Sequence, residues 1–400
     1  MDLPEKPSSR LRSLDALRGA VMILMTLDHV RDFFHIGATS FSPTDLARTN
    51  IILFFTRWIT HFCLPVFMFA SGAGAHLWWR QRDHTKGQLS RFLLTRGAWF
   101  IVLELTLMQL AYNFKVSSGL MVLLLILWIF GICMILMAGL VHLPIRWLLG
   151  ASVAVICLHN CLDRVQASQF GSDAWVWNVL HQPGVLSVAS RSVLVSYTLL
   201  PWIAVMAAGF CLGPVLERSP AVRGRILRRL GWAAVIGFIL LRALNIYGDP
   251  VPWSVQKPAG FTILSFLNCT KYPASLDFLL MTLGPALLVL AQFDRHPPTG
   301  SNPLIVFGRV PMFFFVLHFY LIHTLEAVMA WLRYGNSALS FVFNPPPSMG
   351  GPAQLFPANF GYGLWVTYAV WIAVVACLYP LCRWYANFKS THRSWWLSYL

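Results

Sequence analysis

Long apolar segments alternate with short polar breaks along the whole chain. Each apolar segment runs for about 20 residues, the length that an α-helix rising 1.5 Å per residue needs to cross roughly 30 Å of hydrocarbon. This pattern predicts an all-α polytopic membrane protein, with residues 1–400 forming a single domain. About ten membrane-spanning helices are predicted, beginning near Leu17, Ile51, Phe92, Leu120, Leu143, Val193, Ile226, Leu276, Leu304 and Gly363.

Composition and charge agree with a membrane location. Of the 400 residues, 57% are hydrophobic and 11% are charged, whereas a soluble enzyme has about 25% charged residues. The net charge of +15 does not call for a nucleic-acid partner. Most Lys and Arg residues fall in segments that would be cytoplasmic if the N-terminus were inside, which predicts that both termini are cytoplasmic. The predicted location is the inner or plasma membrane.

The first apolar segment carries ionisable residues at membrane depth. Such groups are costly in a bilayer and indicate a wet or functional cavity. Arg18 and His29 are eleven residues apart, so at about 100° per residue they share one helix face, roughly 16 Å apart along the axis. Asp28 adjoins His29, and Asp32 lies one turn further, where we expect its carboxylate to orient the imidazole. These residues, and the lack of an A-x-A-like cleavage site, predict a retained helix rather than a signal peptide.

The second apolar segment adds a further polar pair. Arg57 and His61 are four residues apart and fall on one face of an α-helix, and Pro65 is expected to bend that helix. Either side chain is a candidate for catalysis. The alternative is that they only form an ion pair with Asp28 or Asp32.

Two other segments supply candidate residues. Arg309 and His323 lie within about 40° of each other on the ninth predicted helix, and His318 points the opposite way. Arg91 and Arg96 begin the third helix at the predicted cytoplasmic surface, where they either bind an anion or serve only as topology signals.

We expect no metal ion, because the sequence has neither an HExxH motif nor a Cys/His cluster at ligand spacing. A metal site would require residues brought together from distant parts of the chain. GxGxxG, Walker and GxSxG motifs are also missing, so the sequence does not support soluble nucleotide or serine-hydrolase chemistry.

Several short motifs, in their order along the chain, resemble known membrane acyltransferases. The opening Arg12-Ser-Leu-Asp-Ala-Leu-Arg18-Gly followed by Asp28-His29 resembles the acyltransferase-3 branch of the transmembrane acyltransferase superfamily. More of the chain resembles bacterial members of the heparan-α-glucosaminide N-acetyltransferase catalytic-domain family. The stretches that carry this resemblance begin at Asp28, Arg57, Leu103, Asn245, Lys271 and Gly308.

The resemblance implies an enzyme that takes an acetyl group from cytoplasmic acetyl-CoA and passes it to a sugar amine or hydroxyl beyond the membrane. It implies His29 as the catalytic base and Arg18 as its partner in the hallmark pair. In lysosomal members the active histidine lies in the loop after the first helix, and His35 is the only histidine there in this chain.

These expectations define a mechanism to be tested. The CoA phosphates would bind Arg18, Arg91, Arg96 and Arg309, because guanidinium groups bind phosphate in bidentate fashion. His29 would act as base, and Arg57 or His61 would stabilise the oxyanion, with Asp28 and His323 as further catalytic candidates.

The expected partners are the lipid bilayer, acetyl-CoA and a glycan or other small acceptor, and a homo-oligomer is left open. A proton-coupled transporter is the alternative function, because buried Asp, Arg and His residues also mark ion pathways. A non-catalytic membrane protein is a third reading.

Overall fold

The computed structural model describes residues 11–81, 83–115, 120–188 and 191–392, together with residues 394 and 397. Over these residues the protein is mostly helical, which confirms the predicted fold class. The first half comprises α1 Arg12–Phe34, α2 Ile51–Trp58, α3 Cys63–Gln81, α4 Lys86–Leu103, α5 Gln109–Asn113, α6 Ile126–Leu140, α7 Ile145–Leu158 and α8 Ala174–Leu180. The second half comprises α9 Leu199–Cys211, α10 Gly213–Leu216, α11 Pro220–Leu244, α12 Ala259–Leu267, α13 Leu276–Arg295, α14 Pro303–Arg309, α15 Pro311–Tyr334 and α16 Leu364–Thr391.

Seven helical segments in the described part of the chain are long and apolar enough to cross a membrane. They are Ile51–Arg80, Lys86–Asn113, Ile145–Leu162, Leu199–Leu216, Leu276–Arg295, Pro311–Ser340 and Leu364–Thr391. Of the other predicted spans, α1 and α11 carry several charged residues each, and α6 has only 15 residues. The number of ten spans and the cytoplasmic placement of the termini stay predictions, and residues 1–10 lie outside the described residues.

A small three-stranded sheet replaces the start of two predicted helices. Its strands are β1 Val122–Leu124, β2 Gly184–Val188 and β3 Arg191–Val195, with β3 in the centre, parallel to β1 and antiparallel to β2. The helices predicted to begin near Leu120 and Val193 therefore begin later, in α6 and α9. Short apolar runs rich in Val and Leu fit a buried strand as well as a helix, so the hydrophobic pattern alone could not separate the two.

The segment predicted as one ninth span is two helices. α14 ends at Arg309 and α15 begins at Pro311, because the residue before a proline is disfavoured in the α conformation; Val310 has φ −130° and ψ 49°. Arg309 and His323 consequently lie on different helices, and the shared face predicted for them is wrong.

α1 occupies the centre of the bundle, where it packs against α3, α13, α14, α15 and α16. Its contact with α14 is close because both helices carry glycine there. A Cβ atom added to Gly19 would overlap the backbone of Leu304, and one added to Gly308 would overlap the backbone of Asp15. We call the end of the bundle near Arg18 the Arg18 side and the end near His35 the His35 side.

The start of α6 is stabilised by a buried carboxylate. Glu104 lies in a π-helical turn, Glu104–Met108, that follows α4. Its side chain accepts hydrogen bonds from the backbone N–H of Leu127 at 2.7 Å and of Trp128 at 3.1 Å, and from the Tyr112 hydroxyl at 3.1 Å. These bonds satisfy N–H groups that the first turn of a helix leaves without partners.

Candidate functional site

A cavity of about 640 Å³ opens on the His35 side and is called the His35-side cavity. Its size falls within the range of small-molecule sites. The polar part of its lining comes largely from the last turns of α1 and the loop that follows, and α2 and the segment before α13 each add one residue. Its charged and titratable residues include Asp28, His29, Arg31, Asp32, His35, Arg57 and Tyr272.

A second cavity, of about 360 Å³, lies towards the Arg18 side and is called the Arg18-side cavity. Its lining contains four cations, Arg18, Arg96, Arg309 and Lys389, and no carboxylate among the described residues. Arg18 donates a hydrogen bond to the carbonyl of Ala70 at 2.5 Å. Most of the remaining lining is apolar, with Met and Phe side chains from α1, α4, α6 and α15.

The two cavities meet at a shared wall. Ile126 at the start of α6 and Phe315 on α15 line both of them. Because α1 is one uninterrupted helix, Arg18 on one cavity and His29 on the other are joined by a straight segment of roughly 16 Å. The structure therefore brings both predicted hallmark residues to cavities that adjoin each other.

Two carboxylates and two guanidinium groups form a network in the His35-side cavity. Arg57 donates to Asp28, and Arg31 Nη2 donates to Asp28 Oδ1 at 2.9 Å and to Asp32 Oδ1 at 2.7 Å. The four formal charges cancel, which is the condition under which buried charges are tolerated. The ion pair predicted as one alternative for Arg57 is therefore present. Arg57 also lines the cavity, so a catalytic role, the other alternative, stays a prediction.

Among the described residues, His29 forms no hydrogen bond with the neighbouring carboxylates. Both of its ring nitrogens are buried and have no hydrogen-bond partner among the described residues. Its ring packs 4.2 Å from the ring of Phe319 and 5.2 Å from that of His318, measured between centroids. The expectation that Asp32 orients His29 is wrong, because the adjacent guanidinium of Arg31 takes the Asp32 carboxylate instead.

His61 does not share the cavity with Arg57. It is buried, and its ring lies 5.3 Å from that of Phe278. Residues Ile59–Phe62 form a 3₁₀ turn just before Pro65, whose missing N–H leaves the carbonyl of His61 without its helical donor. His61 therefore lies in a turn that is wound more tightly than an α-helix, where the α-helical spacing used to place it on the face of Arg57 does not apply.

Other predicted site residues lie outside both cavities. Both ring nitrogens of His323 contact backbone carbonyls, Ala111 and Val342, each at 2.7 Å, and its ring stacks on Phe114. This ties α5 to the segment after α15 and leaves no ring nitrogen for a substrate. Arg91 is exposed on α4 and lines neither cavity.

His35 lines the His35-side cavity but is held by the backbone. Its Nδ1 accepts a hydrogen bond from the N–H of Gly37 at 3.0 Å. Burial, assisted by the charge of Arg31, lowers the pKa of His35 to about 4. A neutral ring with Nδ1 as acceptor carries its proton on Nε2, so His35 can donate to a ligand but is a weak base at neutral pH.

Sequence reasoning did not single out two tyrosines of this cavity. The hydroxyls of Tyr197 and Tyr272 lie 3.3 Å apart, and both side chains line the cavity. Burial would raise the pKa of Tyr272, but the nearby cations of Lys271 and Arg57 outweigh it and bring that pKa below its usual value. The sequence did contain a signal for Tyr272, because Lys271-Tyr-Pro is one of the stretches that carry the family resemblance.

The site thus consists of a polar cavity and a cationic cavity that share Ile126 and Phe315, in a helical protein with several helices long and apolar enough to cross a membrane. Residues 10–248 match the family model described as heparan-α-glucosaminide N-acetyltransferase, catalytic. The match covers more than half of the chain, so the protein belongs to this family, as its motifs predict. A search of curated proteins finds no match.

Membership of this family supports a transmembrane N-acetyltransferase and gives the transporter alternative no support. The matched segment contains α1 to α11, and therefore Arg18, His29 and Arg57. The residues that α13 to α16 contribute to the cavities lie beyond it.

Proposed function

We propose that the protein transfers the acetyl group of acetyl-CoA, bound from the cytoplasm in the Arg18-side cavity, to an acceptor in the His35-side cavity. The acceptor is a sugar amine or hydroxyl, and the enzyme works in the inner or plasma membrane. The observation that carries this proposal is the pair of chemically different cavities that meet at Ile126 and Phe315.

The Arg18-side cavity has the chemistry that acetyl-CoA needs. Its cations can bind the CoA phosphates, to which a guanidinium donates two parallel hydrogen bonds. Its apolar remainder suits the thin pantetheine arm. In an extended arm that follows α1 from Arg18, the thioester comes within reach of His29, roughly 16 Å away.

His29 is the proposed base, because its ring nitrogens are not committed to any other side chain. Neutral His29 takes the proton of the acceptor amine or hydroxyl as that atom bonds to the thioester carbonyl carbon. The carbonyl oxygen becomes an oxyanion, which the cations Arg57 and Arg31 stabilise. The C–S bond then breaks, and protonated His29 returns the proton to the CoA thiolate.

An acetyl-histidine route is the alternative form of the same transfer. A ring nitrogen of His29 would bond to the acetyl carbon, CoA would leave as a thiol, and the acceptor would then remove the acetyl group. Denaturation at neutral pH after incubation with labelled acetyl-CoA and no acceptor separates the two routes, because only the acetyl-histidine route leaves labelled acetyl on the protein.

The test is acetyl transfer from labelled acetyl-CoA in membranes that contain His29→Ala. Loss of a general base lowers turnover by about 10²–10⁴-fold, and binding of acetyl-CoA should persist because its phosphates contact other residues. His296→Ala is the matched control, since His296 is exposed after α13 and lines neither cavity. Normal turnover in His29→Ala would refute the assignment of the base.

The donor site has its own test. Arg18→Gln and Arg309→Gln each remove one cation from the Arg18-side cavity, and a hydrogen bond to a charged group contributes about 1.5–3 kcal/mol. Each variant should therefore weaken acetyl-CoA binding by roughly 10- to 100-fold. Arg91→Gln is the control that separates this cavity from the general basic surface. An equal loss in all three variants would count against the proposed CoA site.

A further inference from the structure

A compact cluster of two histidines and one aspartate lies outside both cavities. His159 begins the 3₁₀ turn that follows α7, Asp163 comes directly after this turn, and His181 follows α8. One potential ligand atom from each residue lies within 4.8 Å of the other two. His159 and His181 are 3% and 2% exposed, and His181 Nε2 lies 2.9 Å from Asp163 Oδ1.

The hydrogen bonding of this cluster is incomplete. Neither ring nitrogen of His159 has a partner among the described residues, and Nδ1 of His181 also lacks one. Buried polar side chains normally have at least one hydrogen-bond partner. His159 is a buried imidazole with two unused nitrogens close to a carboxylate and a second imidazole, and a bound cation would supply a partner for one of these nitrogens.

We propose that His159, Asp163 and His181 bind a Zn²⁺ ion. Two imidazole nitrogens and one carboxylate oxygen form a donor set that zinc accepts, whereas Ca²⁺ and Mg²⁺ prefer sites made of oxygen alone. Zinc bonds of about 2.0–2.1 Å place tetrahedral ligand atoms about 3.4 Å apart. Small side-chain movements therefore close the site, and water takes the fourth position.

The surroundings hold the aspartate in a ligating orientation. Asn160 Nδ2 donates to Asp163 Oδ2 at 2.8 Å, so Oδ1, which faces His181, is the oxygen that would bind the metal in place of its contact with His181. The same Asn160 accepts the backbone N–H of Leu276 at 2.9 Å, so it is fixed by the start of α13. Hydrogen bonds of this kind to metal ligands orient them and raise metal affinity.

The position of the cluster defines what the ion would do. It would link the end of α7 to the segment between α8 and β2, and Pro183 in that segment lines the His35-side cavity. None of the three ligands lines that cavity, so the ion would be structural: it would stabilise the cavity wall without touching the acceptor. This inference does not depend on the proposed function.

The test uses the full chain in detergent, after removal of any histidine tag and treatment with a chelator. Wild-type protein should bind one equivalent of added Zn²⁺ and melt at a higher temperature with zinc than without it, because a ligand that binds only the folded state stabilises it. His159→Gln should lose both effects, and the control His296→Gln should keep both. Elemental analysis and thermal unfolding are the two measurements.

A ligand swap protects the test against a variant that fails to fold. His181→Cys replaces one zinc ligand with another, so it should still bind one equivalent, and Co²⁺ added in place of zinc should give the absorption of a cobalt–thiolate bond. The proposal is overturned if wild-type protein binds no zinc, or if His159→Gln and wild type bind it equally. Cobalt without thiolate absorption in a zinc-binding His181→Cys protein would also overturn it.

Discussion

Removal of the Asp28 charge should destabilise the protein far more than removal of the Asp32 charge. Asp28 is the carboxylate between Arg57 and Arg31, and its side chain is 12% exposed. In Asp28→Asn, Arg57 loses the carboxylate that it contacts. In Asp32→Asn, Arg31 keeps Asp28 at 2.9 Å.

The magnitudes follow from burial. Leaving one partner of a buried ion pair without its counter-charge costs about 3–5 kcal/mol. The cavity admits water, so we expect the lower end, about 3 kcal/mol, for Asp28→Asn. Loss of one hydrogen bond from a guanidinium that keeps a second carboxylate costs about 1 kcal/mol. The double variant Asp28→Asn with Arg57→Gln should recover about 1–3 kcal/mol relative to the sum of the single variants.

The assay is thermal unfolding in detergent, followed by tryptophan fluorescence at one pH and one salt concentration. Wild type, the two single carboxylate variants, Arg57→Gln and the double variant are measured together. If Asp28→Asn were no less stable than Asp32→Asn, or if the effects of Asp28→Asn and Arg57→Gln were additive, the network would not be the buried, coupled unit described above.

Three further predictions concern other parts of the molecule. The pKa of His35 is about 4 in the folded protein and about 6.5 in the unfolded chain, so its contribution to stability is fully present above pH 6.5 and is lost as the pH falls towards 4. His35→Asn keeps an acceptor for the N–H of Gly37 and should reduce the dependence of the melting temperature on pH over this range. An unchanged pH dependence would contradict the assignment. Phe315→Trp should narrow the junction of the cavities and lower the turnover of acetyl transfer while acetyl-CoA binding persists; unchanged turnover would show that the acetyl group takes another path. Gly19→Ala should force α1 away from α14 and lower the free energy of unfolding by about 1–3 kcal/mol. Gly139→Ala is the control, because Gly139 has open space around it. Equal melting temperatures for the two variants would contradict the prediction.

Sequence periodicity predicted the central part of the site because α1 is a regular helix. Arg18 and His29 reach adjoining cavities since nothing interrupts the 23 residues of α1. The same reasoning failed where the backbone is irregular. His61 lies in a 3₁₀ turn that follows the helix of Arg57, and Val310 separates Arg309 from the helix of His323. Periodicity assumes one winding along a segment, and it cannot detect such local changes.

Contacts between neighbouring side chains and between distant segments were harder to predict. The spacing of Asp32 from His29 fits a hydrogen bond between them, but the neighbouring Arg31 donates to the Asp32 carboxylate instead. His159 and Asp163 are four residues apart, and His181 joins them only because the chain after α8 returns to the end of α7. No local pattern specifies that return, which is why the sequence predicted no metal site.

The shared wall at Ile126 and Phe315 also has a consequence for the electrical insulation of the membrane. A bilayer excludes ions because its low-dielectric layer is thick, and in the proposed mechanism two cavities that open towards opposite faces would reduce that layer to the thickness of a few side chains. Leakage of protons down the membrane potential would then depend on how tightly these side chains close, and a bound donor molecule would act as a plug. An enzyme built in this way has to remain sealed between turnovers.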